Sequence, residues 1–259
     1  MEKLISMIAA MFLIASAAVA QQPATSPAEN TGPNKSIVRW SEGKYLYQTA
    51  DGKRQRGWEK FHLNVHPDGT RTMLMWNDIS ARNNQYSVML RVAENFRPLQ
   101  SYISYWTEAG YKGSAMVMID GARLDAISTG PLGKVTQSII VPQNVSIGAH
   151  PVAGDGWHMW YEDAGAKGVQ SNGQMYSVES SNDLTKPVLG VLLPQKFEIL
   201  GKEKITVPAG TFDTVKYRIG GSSDAYVLMP DRVMIRVTNT NRGLDYVLTE
   251  YKSGDNTKK

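Results

Sequence analysis

The sequence contains no cysteine and only four histidines among 259 residues. Without cysteine the chain forms no disulfide, carries no thiol nucleophile and offers no thiolate ligand to a metal. His62 and His66 are four residues apart on one predicted strand, about 13 Å, which is too far to hold one ion. His150 and His158 match no zinc spacing. We therefore predict no metal site.

Motifs of nucleophilic catalysis and of nucleotide binding are also missing. There is no Gly-x-Ser-x-Gly elbow, and the stretch from Gly220 to Asp224 is typical of a hairpin loop. The stretch from Gly130 to Gly133 is too short for a phosphate-binding loop and precedes no helical pattern. We predict that the protein uses no cofactor.

The charge is mild, with a formal net value of +4. A positive net charge this small on a chain of 259 residues does not indicate nucleic-acid binding. The basic group Lys53, Arg54, Arg56 and Lys60 is interpreted as a solvated loop. Its alternative interpretation is peripheral contact with an anionic membrane surface of the cell envelope.

One long apolar run lies near the N-terminus and none elsewhere. Lys3 precedes the apolar segment 4–17, and Ala18-Val19-Ala20 matches a signal-peptidase site. We expect a signal peptide over 1–20, a disordered leader over 21–35, a β domain over 36–252 and a flexible tail over 253–259. The expected location is the periplasm or the medium, and the lack of cysteine excludes a lipoprotein.

The rest of the chain has the alternation of β-strands. Phe61, Leu63 and Val65 alternate with polar residues, and Asp68-Gly69 then predicts a hairpin turn. Similar runs separated by turn residues recur every 8 to 14 residues, about a dozen in all. The pattern predicts an all-β fold with a single, strongly curved antiparallel sheet, a half-barrel or open barrel.

The segment KEKITVPAGTFDTVKYRI, residues 202–219, resembles an uncharacterised bacterial family of exported domains of unknown function. Members carry a similar V-P-A-G-T-F turn between two late strands. They continue with a Pro-Asp type turn and a terminal strand rich in Tyr and Leu, as in YVLMPDRVMIRV and DYVLTEYKS here. The resemblance implies a curved sheet similar to the half-barrels of periplasmic lipoprotein carriers, whose concave face wraps around helical segments. It implies no catalytic residue.

The stretch HPVAGDGWHMWYED, residues 150–163, interrupts the strand pattern. Asp155 is a candidate N-cap for a short helix over 156–163 on the concave side of the sheet. On such a helix Trp157, Trp160 and Tyr161 share one face. These three rings either fill the core or form the wall of a ligand site.

A second interpretation assigns His158, with Asp155 or His150, to acid–base catalysis, because a carboxylate that orients a histidine is a common proton-transfer unit. The sequence favours a non-enzymatic protein that binds an apolar or amphipathic small molecule or lipid. The alternatives are a cofactor-free lyase or hydrolase, and an envelope interaction protein with no small ligand. The oligomeric state is left open.

Overall fold

The computed structural model describes residues 34–239 and 241–257, and these residues form one curved sheet of fifteen strands. The predicted all-β fold with a single strongly curved sheet is therefore confirmed. The first eight strands are β1 (Arg39–Thr49), β2 (Gln55–Val65), β3 (Arg71–Ile79), β4 (Asn84–Val92), β5 (Pro98–Thr107), β6 (Gly110–Asp120), β7 (Arg123–Gly130) and β8 (Gly133–Ile140). The others are β9 (Val145–Gly148), β10 (Val169–Val178), β11 (Gly190–Val207), β12 (Gly210–Ile219), β13 (Ser223–Leu228), β14 (Val233–Asn239) and β15 (Leu244–Asp255).

The sheet is a meander in two halves that meet at β1. Strands β1 to β8 follow one another in space, β15 pairs with the other side of β1, and β14 to β9 continue outwards. All pairings are antiparallel except that of β9 with β10. Since β8 and β9 end the sheet without pairing with each other, the barrel is open.

Side chains rather than a backbone ladder connect β8 to the opposite part of the sheet. The Tyr176 hydroxyl donates to Gln137 Oε1 at 2.5 Å, and Gln137 Nε2 donates to the Gly190 carbonyl at 3.1 Å. Gly190 N–H donates back to the Tyr176 hydroxyl at 2.7 Å. The polar groups of these three residues therefore satisfy one another where the sheet curls round.

Period-2 alternation places the core on the concave face. Phe61, Leu63 and Val65 of β2 are buried, as the sequence predicts, and Met73 and Met75 of β3 lie beside them. The predicted hairpin turn at Asp68-Gly69 is confirmed, and Gly69 adopts a φ of +79°. This left-handed backbone is one that glycine adopts at no steric cost.

The V-P-A-G turn ends the long β11–β12 hairpin and packs against β15. Ala209 N–H donates to the Leu248 carbonyl at 3.3 Å, and Val207 is buried. Gly210 has a φ of +138°. The motif that carries the family resemblance therefore closes and anchors a hairpin.

Some boundaries differ from the sequence-based ones. β1 was not predicted, and β11 is one strand of 18 residues where two short strands were expected. β15 continues to Asp255, into the stretch assigned to the tail. The proposed signal peptide and residues 21–33 of the leader lie outside the described residues. Within the described part of the chain, no helix combines the length and apolarity needed to span a bilayer.

The expected short helix is present on the concave side, but its type and bounds differ. It is a 3-10 helix over Val152–Trp157, called the plug helix below, and it ends at the second residue of the helix predicted over 156–163. Asp155 lies inside it, and Pro151 is the N-cap without a side-chain cap hydrogen bond. The expectation of Asp155 as N-cap is thus wrong. The helix starts earlier because the buried carboxyl group of Glu59 accepts the N–H groups of Val152 and Ala153.

Candidate ligand-binding site

A cavity of about 250 Å³ lies between the plug helix and strands β10 to β12. It brings together all three residues of the acid–base interpretation, His150, Asp155 and His158. Its remaining walls come from Gly148, Met175, Ser177, Pro194, Gln195, Lys196, Ile219 and Gly220. We call it the histidine pocket.

His158 is held by Asp155 at the edge of the histidine pocket. Its Nε2 lies 3.2 Å from Asp155 Oδ1, and only 8% of the residue is exposed. The two residues are one helical turn apart, because Asp155 occupies the plug helix and His158 follows its last residue. The carboxylate therefore fixes the ring orientation and leaves Nδ1 as the nitrogen available to another partner.

His150 has a separate anchor. Its Nε2 contacts the carbonyl oxygen of Val178, so this nitrogen must carry the proton and donate. Burial of the ring lowers the pKa of His150 below its ordinary value, which keeps the imidazole neutral. Its φ of +78° turns the chain into the plug helix. The structure thus gives the two histidines different partners within one pocket.

The wall opposite the histidines is largely apolar. Met175 and Ile219 are partly buried, and Pro194 completes this side. Gln195 is buried, and its Oε1 accepts hydrogen bonds from Ser146 Oγ at 3.0 Å and Tyr161 OH at 3.1 Å. An apolar wall with a few fixed polar groups is the usual composition of a small-molecule site.

The three aromatic residues of the sequence prediction do not share one helix face, because the plug helix ends at Trp157. Trp157 is buried, donates from Nε1 to the Asp231 carbonyl at 3.0 Å and packs against Phe96. Trp160 donates to the Val145 carbonyl at 2.9 Å. None of the three lines the histidine pocket, although Tyr161 supports it through Gln195. Their role as a ligand wall stays a prediction.

Sequence reasoning missed Glu59, which positions the plug helix. Its carboxyl group is fully buried and accepts hydrogen bonds from the N–H of Val152 at 2.7 Å, the N–H of Ala153 at 2.9 Å and the hydroxyl of Tyr47. A signal was available, since Glu59 precedes Phe61, Leu63 and Val65 by the same period of two and therefore faces inwards. A glutamate at an inward position indicates a specific partner.

The described residues contain no cluster of side chains arranged to bind a metal ion. Within 34–239 and 241–257, no three side chains of His, Asp or Glu converge so that they could hold an ion. What the geometry offers is a barrel-like β-sheet protein with a small, partly apolar pocket and a carboxylate-oriented histidine.

Comparison with solved structures places the fold among uncharacterised proteins. The chain is similar to a beta-barrel-like protein of the domain of unknown function DUF1849 from Brucella abortus, with a TM-score of 0.54 and 6% identity over 85% of this chain and 98% of that one. A DUF1089 family protein from Pseudomonas aeruginosa gives a TM-score of 0.38 and 11% identity, over 68% of this chain and 87% of that one. No protein-family model and no curated protein matches the chain. The first likeness supports the barrel-like fold, and the predicted export stays a prediction.

Proposed function

We propose that the protein binds a small amphipathic acid in the histidine pocket. The observation that carries this proposal is the pairing of a buried, carboxylate-oriented histidine with an apolar wall in one cavity. The volume of about 250 Å³ lies just below the range of about 300–1,000 Å³ for drug-sized ligands. A short-chain or single-ring molecule fits this space, whereas a whole lipid does not.

The charge at the pocket favours an acidic head group. Lys196 is exposed and lines the pocket, and among the described residues its ammonium group forms no ion pair. The apolar part of the ligand would contact Met175 and Ile219, while its carboxylate would approach Lys196 and the Nδ1 of His158. The one charged side chain of the pocket without an ionic partner would then gain one.

Isothermal titration calorimetry with hexanoate and benzoate tests binding, and hexanol is the neutral comparison. In a chemical unfolding experiment, the bound acid should also raise the free energy of unfolding, by about 2.7 kcal/mol at a ligand concentration of 100 Kd. Ser177→Phe should fill the pocket and abolish binding, and Lys196→Gln should weaken it. Lys202→Gln, an exposed lysine of the same strand outside the pocket, is the matched control. Equal binding of hexanol, or unchanged binding in Ser177→Phe, would contradict the proposal.

Acid–base catalysis by His158 is a second candidate function, favoured by its 3.2 Å contact with Asp155. In a lyase or hydrolase of this kind the free Nδ1 would take the proton, and Asp155 would stabilise the resulting imidazolium. Asp155→Asn should then lower turnover of a bound ester or hydroxy acid by about 10²-fold or more while leaving binding intact. Equal turnover by the parent and the variant would rule this candidate out.

A further inference from the structure

A second cleft, of about 420 Å³, lies on the outer face of the sheet, away from the histidine pocket. Strand register explains its composition, because Asp78 of β3 pairs with Gln85 of β4, and Gln85 pairs with Trp106 of β5. These three outward side chains are therefore neighbours across three strands. Asn83 and Glu108, at the adjacent strand ends, complete what we call the outer cleft.

Trp106 supplies an accessible ring in the outer cleft. It is 48% exposed, although a large aromatic ring is usually mostly buried. Tyr111, which pairs with it across β5 and β6, packs with its ring centroid 4.9 Å away and supports one side. The indole is thus held in place while much of it remains open to a ligand.

The outer cleft is negatively charged in a protein whose formal net charge is +4. Asp78 and Glu108 line it, and no lysine or arginine does. Across residues 34–239 and 241–257, neither carboxylate takes part in an ion pair. Arg82 is the cation nearest to Asp78 along the chain, and it donates instead to the Ser180 carbonyl at 3.2 Å.

The two charged groups of the outer cleft, Asp78 and Glu108, are hydrogen-bond acceptors. Glu108 Oε2 accepts one bond, from Asn83 Nδ2 at 2.6 Å, which leaves its other oxygen available. Two carboxylates beside an exposed indole favour a ligand that brings donors and positive charge.

We infer that the outer cleft binds a protonated organic amine, with the ammonium group over the Trp106 ring and between Asp78 and Glu108. An ammonium group gains from the negative face of an indole and donates three hydrogen bonds. A free diamine and a lysine side chain share this chemistry. The site is independent of the histidine pocket and of the acid proposed there.

Isothermal titration calorimetry with putrescine tests this inference, with 1,4-butanediol as the neutral molecule of equal chain length. Putrescine should bind with an affinity that falls as sodium chloride increases, and the diol should not bind. Trp106→Ala should weaken putrescine binding by about 3- to 30-fold, the range expected for a cation–π contact. Asp78→Asn and Glu108→Gln should each weaken it as well. A lysine-containing tripeptide, compared with its acetyl-lysine form, tests the side-chain source of the amine.

Trp76→Ala is the matched control, since Trp76 is 46% exposed on the same outer face but does not line the outer cleft. It should bind putrescine like the parent, and circular dichroism should show every variant folded. Three results would each overturn the inference: no binding of putrescine, equal binding of the diol, or parent-like binding by both Trp106→Ala and Glu108→Gln.

Discussion

Val152 donates its backbone N–H to Glu59 Oε2 at 2.7 Å, which ties the start of the plug helix to the middle of β2. The Tyr47 hydroxyl donates to the same oxygen, and Ala153 N–H donates to the other oxygen at 2.9 Å. Burial has a larger effect on the pKa of Glu59 than these hydrogen bonds, which lower it. The pKa is therefore raised from an ordinary 4.5 to about 8. The first two N–H groups of the plug helix, which carries Asp155 and leads to His158, are thus bound by one buried carboxyl group.

The stability of the protein should depend on pH through Glu59. Because the folded state binds this proton more tightly than the unfolded state, the contribution is fully present below pH 4.5 and is lost as the pH rises towards about 8. Urea unfolding of the parent and of Glu59→Gln at several pH values measures it. The parent should lose stability relative to the variant across this window, and parallel curves would contradict the prediction.

His150 should contribute a pH dependence of the opposite sign. Burial lowers the pKa of His150, so the unfolded state takes up the proton first when the pH falls. Its contribution is present above the ordinary value of 6.5 and is lost at lower pH. We expect His150→Gln to be less destabilised than the parent between pH 7 and pH 5. If both lose the same free energy of unfolding over that interval, the folded protein takes up the His150 proton as readily as the unfolded chain, which would contradict the prediction.

Trp157 and Trp160 should differ in their contributions to stability. Trp157→Ala removes a ring that is 2% exposed and should cost about 3–5 kcal/mol. Trp160 is only half-buried, so Trp160→Ala should cost less, and Trp160→Phe should cost about 1 kcal/mol for the lost bond to the Val145 carbonyl. Chemical unfolding compares the three variants. Equal losses for the two alanine variants would show that Trp160 is as much a core residue as Trp157.

Gly210 should not tolerate a β-branched residue. An added Cβ would meet only Phe212, at an ordinary contact distance of 3.6 Å, so the expected cost arises from the backbone φ of +138°. Gly210→Val should lower the free energy of unfolding by about 1–3 kcal/mol. Thr211→Val, at the next and equally exposed position, is the control and should change stability by less than about 0.5 kcal/mol. Melting temperatures that match in all three proteins would show that the turn is unstrained.

Local sequence determined the class of fold and most of its strands. Alternation such as that of Phe61, Leu63 and Val65 decides which face is buried, and Asp68-Gly69 decides where the chain turns back. Both signals act over a few residues, so they can be recognised without knowledge of the partner strand. β1 escaped prediction because Glu42, Gly43 and Lys44 interrupt its alternation. Its pairing with β2 on one side and β15 on the other stabilises it instead.

Only part of the candidate site, by contrast, could be predicted from the sequence. Its histidines and Asp155 could be identified because they lie within nine residues of one another. Met175, Gln195 and Ile219, which form the other walls, come from β10, β11 and β12 and became neighbours only when the sheet curled. The start of the plug helix likewise depended on Glu59, about ninety residues earlier in the chain. Tertiary structure decided these features, because hydrogen bonds to a buried carboxyl group outweigh the weak helical preference of a short segment that cannot persist alone.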